Sequence, residues 1–188
     1  LYATKLVPPL NEVAFPAYAR MQHDKRALSY GFLKAVRLIM LVACPLYFGM
    51  AISASPFVGT LLGEKWTEAV PIVRILAFIM PLVTLQIIFH PAINALGEPK
   101  IILRNAIAGA VIMPLTYLVG IRFGIEGLAI SWFVSMSLLL AITIYQTKPF
   151  IGFTLRELFG AILPGLGAAL IMSVSVRIVD YLVMAYVW

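Results

Sequence analysis

The feature that most constrains this chain is a series of long apolar stretches that contain no Asp, Glu, Lys or Arg and a single histidine. They lie at residues 38–63, 75–97, 105–121, 127–147 and 158–176. A helix needs about 20 predominantly apolar residues to cross a hydrocarbon core of about 30 Å. Because the apolar residues are continuous rather than alternating, the stretches predict membrane-spanning helices and not the strands of a barrel.

The composition agrees with this prediction. Hydrophobic residues make up 62% of the 188 residues and charged residues only 12%, with a mean hydropathy of +1.00, whereas a soluble domain carries about 25% charged residues. Such a chain cannot cover its apolar residues in water, and in lipid every backbone polar group must be satisfied inside a helix or a closed barrel. We therefore predict an all-α integral membrane protein, an antiparallel bundle of transmembrane helices.

The bundle is expected to form a single lobe over residues 1–188. The predicted spans cover residues 1–19, 38–62, 71–95, 102–121, 127–146 and 158–177, followed by a truncated span at 181–188. Residues 20–37 place apolar and basic side chains on separate helix faces, which predicts an amphipathic linker at the cytoplasmic interface. The chain begins with Leu and its last apolar run stops abruptly, so we expect a fragment cut at both ends.

Basic residues predict the orientation of the lobe. The connections at 20–37, 97–104 and 146–157 carry nine Lys and Arg residues, whereas the opposite side carries four. The positive-inside rule therefore places these three connections in the cytoplasm. Since the basic residues stand at the ends of spans and form no groove-facing stripe, the net charge of +6 indicates topology and contact with membrane lipids, and no nucleic-acid partner is predicted.

The residues that could carry catalysis are too scattered to predict an enzyme, a metal site or a cofactor. Cys44 lies inside an apolar run, and His23 and His90 have no ligand-like spacing to it or to each other. The carboxylates occur singly in connections, and no Gly-rich phosphate loop follows a strand. No extramembrane loop longer than about fifteen residues is visible, and membrane-bound polymerases and ligases tend to need a large one.

The first span is the best candidate for the wall of a transport pathway. It holds Lys5, Asn11 and Glu12 and is interrupted by Pro8 and Pro9. A charge at bilayer depth costs about 2.5–3.5 kcal/mol, so such groups normally face a bundle interior or a water-filled cavity. Lys5 would attract an anionic group of a transported molecule, and Glu12 would bind a coupling proton or cation. Alternatively, Lys5 snorkels to the outer interface and Glu12 hydrogen-bonds a neighbouring helix.

Three further candidates lie on the third span. Arg74 stands near its outer start, where it either anchors the helix at the interface or contributes to the cavity. His90 and Asn94 are four residues apart and therefore share one helix face. This pair either lines the cavity or satisfies its own hydrogen bonds.

Four connecting segments carry a resemblance to a known family. They are FPAYARMQ at 15–22, LLGEKW at 61–66, ALGEPK at 95–100 and GIEGLA at 124–129. In their order and spacing they resemble the polysaccharide transporter family of the multidrug/oligosaccharidyl-lipid/polysaccharide flippase superfamily. The resemblance implies that the chain is the second lobe of such a transporter, facing an N-terminal lobe of the same protein across a central cavity.

This resemblance also implies a function. A family member would translocate a lipid-linked oligosaccharide, of the undecaprenyl-pyrophosphate type, across the bacterial cytoplasmic membrane by alternating access, with a possible coupling cation or proton. Three alternatives remain: a multidrug or cation antiporter of the same superfamily, a membrane-bound polysaccharide polymerase or ligase, and a structural lobe with no activity of its own.

Overall fold

The structure of the chain is a computed structural model that describes residues 18–21 and 24–187, with side chains described up to residue 179. Every regular element in this range is helical, which confirms the predicted all-α fold. The elements are α1 (Lys25–Ile52), α2 (Ala54–Leu61), a 3-10 helix (Glu64–Ala69), α3 (Val70–Ala95), α4 (Pro99–Gly120), a 3-10 turn (Ile121–Phe123), α5 (Gly124–Ile151) and α6 (Leu155–Val187).

Four helical stretches of the described chain are long and apolar enough to cross a membrane. They are Lys25–Ile52, Glu64–Ala95, Pro99–Ile151 and Leu155–Val179, with mean hydropathies between 1.9 and 2.3. The third stretch contains both α4 and α5, joined by the 3-10 turn. The outer surface is apolar as well, and α4 exposes a stripe of Leu103, Ile107, Val111, Leu115 and Leu118. Lipid is the solvent that such a stripe requires.

Helices α4 and α5 form a tight antiparallel hairpin. At the turn, the helices approach so closely that a Cβ atom on Gly120 would lie 2.6 Å from the carbonyl oxygen of Gly127. Away from the turn, contacts pair residues whose numbers change in opposite directions, namely Thr116 with Ser135 and Asn105 with Thr143. The predicted antiparallel arrangement is therefore present in this hairpin.

The core centres on α1, which packs against α3, α5 and α6. Phe32 of α1, Phe89 of α3 and Phe153 from the connection before α6 form an aromatic cluster, with ring centroids 4.9 to 6.1 Å apart. All three side chains are fully buried. Because their rings meet at angles between 25° and 53°, they gain offset aromatic contacts in addition to apolar packing. The cluster joins three parts of the lobe at its predicted cytoplasmic end.

The first long helix continues through the boundary predicted at residue 37. The sequence predicts an amphipathic linker at 20–37 and a span at 38–62, whereas α1 runs unbroken from Lys25 to Ile52 and α2 follows separately. The reason is a stripe of Leu28, Phe32, Val36 and Met40 at four-residue spacing, all buried in the core. The basic residues lie between these positions, and exposed charges on one face of a helix do not end it.

The end of the chain differs from the prediction in a similar way. The sequence predicts one span at 158–177 and another beginning at 181, whereas α6 is a single helix from Leu155 to Val187. The predicted break relied on the charges of Arg177 and Asp180. No Gly or Pro occurs between residues 168 and 187, so the chain has no local signal that would end the helix there.

Candidate functional site

Of the six predicted site residues, three can be placed in the structure. Lys5, Asn11 and Glu12 lie outside the described residues. Arg74 is exposed near the start of α3, and its Nε donates a hydrogen bond of 3.3 Å to the carbonyl oxygen of Ala51. Ala51 lies in the last turn of α1, so the guanidinium binds a carbonyl oxygen that has no partner inside that helix. Its positive charge also interacts favourably with the negative end of the helix dipole.

His90 and Asn94 lie together on an exposed face at the other end of α3. Neighbouring residues of the same turns, including Phe89, Ile93 and Ala95, are buried. Polar groups on the surface of a transmembrane helix are unfavourable against lipid tails, so they normally face another part of the protein or a water-filled cavity. Arg74 is sixteen residues from His90, about 24 Å along the helix, so the structure does not bring the three candidates together.

A buried polar network lies between α3, α4 and α5, and the sequence analysis did not predict it. The hydroxyl of Thr143 accepts hydrogen bonds from Gln86 Nε2 at 2.8 Å and from Asn105 Nδ2 at 3.0 Å. It donates to the carbonyl oxygen of Leu139 at 2.9 Å. Since a hydroxyl offers one donor and two acceptor positions, Thr143 uses its full capacity and joins three helices.

The network continues toward the predicted cytoplasmic end of α5. Gln146 Nε2 donates to Asn105 Oδ1 at 3.2 Å. The carbonyl oxygens Gln86 Oε1 and Gln146 Oε1 are buried and have no hydrogen-bond partner within the described structure. These two acceptors make the network a place where a hydroxyl or water can bind with a favourable enthalpy. Inter-helix polar contacts of this kind also hold membrane helices together.

A sequence signal for this network does exist. Gln86, Asn105 and Gln146 are amide side chains within stretches that are otherwise apolar, and an amide at that depth needs a partner on another helix. Within the described residues, no group of three or more His, Cys, Asp or Glu side chains lies close enough to hold a metal ion. The polar chemistry described inside the bundle is therefore that of amides and hydroxyls.

With its four spanning stretches, the chain is a multi-pass membrane protein. Residues 1–71 match the model of a family described as "Polysaccharide biosynthesis protein". This match includes the first two of the four segments on which the resemblance was based. The match supports the resemblance to the polysaccharide transporter family.

Curated relatives agree with this assignment. The chain is 35% identical over 75 residues to the teichuronic acid biosynthesis protein TuaB of Bacillus subtilis, covering 40% of this chain and 16% of that protein. It is 26% identical over 99 residues to the succinoglycan biosynthesis transport protein ExoT of Rhizobium meliloti, covering 53% of this chain and 20% of that protein. An uncharacterized membrane protein in the cps region of Klebsiella pneumoniae is 26% identical to this chain over 151 residues, covering 79% of this chain and 31% of that protein.

The chain therefore spans no more than about a third of the length of these relatives. No solved structure matches it. The names of TuaB and ExoT refer to polysaccharide biosynthesis and transport, and neither name specifies an enzymatic reaction.

Proposed function

We propose that this chain is one lobe of a flippase that moves a lipid-linked polysaccharide precursor across the bacterial cytoplasmic membrane. The observation that carries the proposal is the placement of His90 and Asn94 on the surface of an apolar bundle. A polar face at that position requires a partner of similar polarity, which a second lobe and the aqueous cavity between two lobes would supply. The names of TuaB and ExoT support polysaccharide assembly and transport as the process.

The physical task of such a protein explains why a polar face is needed. Sugar hydroxyls and a pyrophosphate cannot enter hydrocarbon without partners, because each unpaired polar group costs several kcal/mol. A cavity that opens alternately to either side supplies those partners, while the isoprenoid tail of an undecaprenyl-pyrophosphate carrier remains in lipid. The lobe would pair with the N-terminal lobe of its full-length protein. Glu12 is our candidate for the residue that binds a coupling proton or cation.

Loss of the full-length parent gene is the direct test of this function. We expect lipid-linked oligosaccharide to accumulate in the cytoplasmic leaflet, with loss of the surface polymer. The measurement is the amount and leaflet of the lipid-linked sugar, with surface polysaccharide scored in the same cells. Accumulation in the outer leaflet would instead indicate a polymerase or ligase. Unchanged lipid-linked sugar with altered sensitivity to cationic drugs would indicate an antiporter.

Single substitutions test the proposed cavity face. His90→Ala and Asn94→Ala in the full-length parent are expected to lower polymer export without lowering the amount of protein in the membrane, and Lys5→Ala and Glu12→Ala are expected to do the same. The control is Ser175→Ala, because the one hydrogen bond of the exposed Ser175 hydroxyl within the described structure goes to its own helix, to the carbonyl oxygen of Ile171 at 2.9 Å. Export at the parent level in all four variants would rule out this face as part of the pathway.

A further inference from the structure

A cavity of about 880 Å³ lies at the predicted cytoplasmic ends of α1, α4 and α5. We call it the basic cavity, because four cations and one carboxylate line it: Lys25, Lys100, Arg104, Lys148 and Glu98. The cations come from three different helices, so the packing of the helices brings them together. The buried side chains of Ile101 and Phe153 contribute apolar surface to the same cavity.

Among the residues that the structure describes, Glu98 is the one carboxylate that lines the cavity with these four cations. Their one hydrogen bond to the described part of the chain joins Lys25 Nζ to the carbonyl oxygen of Pro149 at 3.4 Å. Two nearby carboxylates are used as helix caps: Asp24 accepts from backbone N–H groups of the first turn of α1, and Glu157 accepts from Thr154 ahead of α6. Four like charges around one cavity repel each other, and a bound anion would relieve that repulsion.

The opposite end of the lobe shows that this excess of cations is specific to one side. A cavity of about 700 Å³ between the 3-10 helix and the start of α5 is lined by Lys65, Glu68 and Glu126 as its charged residues. There one cation faces two carboxylates. A cavity of similar size at the helix ends is therefore not always lined by an excess of basic residues.

We propose that the basic cavity binds the phosphate group of an anionic lipid in the cytoplasmic leaflet. Arg104 offers a planar guanidinium that can bind two phosphate oxygens, and the three lysines act as point charges. The exposed rings of Tyr145 and Phe150 line the cavity beside the cations and would contact the chain of a lipid. Basic pockets between transmembrane helices on this side of the membrane have the chemistry that headgroup phosphates require. The proposal does not depend on the flippase function.

Native mass spectrometry of the full-length parent in detergent can test this site. The probe is phosphatidylglycerol, titrated into the protein and into the double variant Lys100→Gln/Arg104→Gln. Each cation near a membrane surface contributes about fivefold to the affinity for an anionic lipid, so we expect binding to be roughly 25-fold weaker in the double variant. Both residues are exposed, so the substitutions do not disturb the core.

The matched control is Lys65→Gln/Arg122→Gln, which removes two exposed cations from the opposite end of the lobe and should change the affinity less than about twofold. Equal losses in both double variants would mean that overall charge, not this cavity, attracts the lipid. The proposal also fails if phosphatidylcholine binds as tightly as phosphatidylglycerol.

Two additional ligands identify the source of the phosphate. Tighter binding of farnesyl diphosphate than of phosphatidylglycerol would assign the cavity to an isoprenoid carrier, and the reverse order would assign it to a phospholipid; either result supports a lipid-borne phosphate. Competition by inorganic phosphate at the same concentration as the lipids would contradict it. Since these measurements record binding without transport, their failure is distinguishable from failure of the flippase proposal.

Discussion

Replacing Gly165 with valine should separate α6 from α1. The Cβ atom of any residue at this position would lie 2.7 Å from the carbonyl carbon of Met40 and still closer to its oxygen. The obstacle is backbone, so it cannot move aside as a flexible side chain would. Ala161 and Ala169, one turn on either side, are also buried, so the contact follows the small-residue spacing typical of close membrane helix pairs.

We expect Gly165→Val to lower the free energy of unfolding by about 3 kcal/mol, the upper end of the range for overpacked cores. The measurement is the thermal midpoint at which the detergent-solubilised full-length parent loses its monodisperse size-exclusion peak. Gly167→Val is the control, because a Cβ atom at Gly167 meets no described atom within 4 Å. Equal midpoints for the two variants would show that α6 does not need this close approach.

Thr143→Val should be the most damaging conservative change in the polar network. Valine keeps the shape of threonine but removes the hydroxyl that accepts from Gln86 and Asn105. The two amides would then be left with unpaired donors between helices. Inter-helix hydrogen bonds in membrane proteins average about 0.6 kcal/mol each, and an unpaired buried donor costs about 1–3 kcal/mol. We therefore expect a loss of about 2 kcal/mol in the free energy of unfolding.

Two companion variants separate hydrogen bonding from packing. Thr143→Ser retains the hydroxyl and should recover most of the loss. Ser137→Ala removes a partly exposed hydroxyl on the same helix. Its one hydrogen bond among the described residues goes to the Phe133 carbonyl oxygen of its own helix, so the change in the free energy of unfolding should be less than about 0.5 kcal/mol. If Thr143→Ser were as destabilised as Thr143→Val under thermal or denaturant unfolding, keeping the hydroxyl would bring no benefit, and its hydrogen bonds would not account for the stability of this site.

The sequence was sufficient to predict the class of protein, because the length of a charge-free apolar stretch is a local property. Helix ends were less predictable, since they were placed at charged residues. Arg37 and Arg177 lie within helices, exposed on their surfaces, and a charge on the exposed face of a helix does not interrupt its backbone hydrogen bonds. Burial of Phe32 and Val36 depends on which neighbours α1 meets, and the linker itself does not contain that information.

The contacts within the polar network and the basic cavity could not be predicted for a related reason. Each depends on residues from three helices, and their distances are determined by how those helices pack. Gln86 and Thr143 are 57 residues apart along the chain, but Gln86 Nε2 lies 2.8 Å from Thr143 Oγ1 in the structure. Lys100 and Lys148 were interpreted as signals of topology and of lipid contact, but not as one site, because the hairpin of α4 and α5 that brings both to one cavity was not evident from their spacing.

Phe89 and His90 are adjacent in α3, but Phe89 lies in the buried aromatic cluster and His90 is exposed on the surface. If α3 rotated about its own axis to reorient His90, it would draw Phe89 away from Phe32 and Phe153. Removing a buried phenylalanine ring from its contacts costs about 3–5 kcal/mol. Axial rotation is therefore a costly movement for this helix. We expect the cytoplasmic ends of α1 and α3 to tilt together as one rigid unit instead, so that His90 and Asn94 move with them.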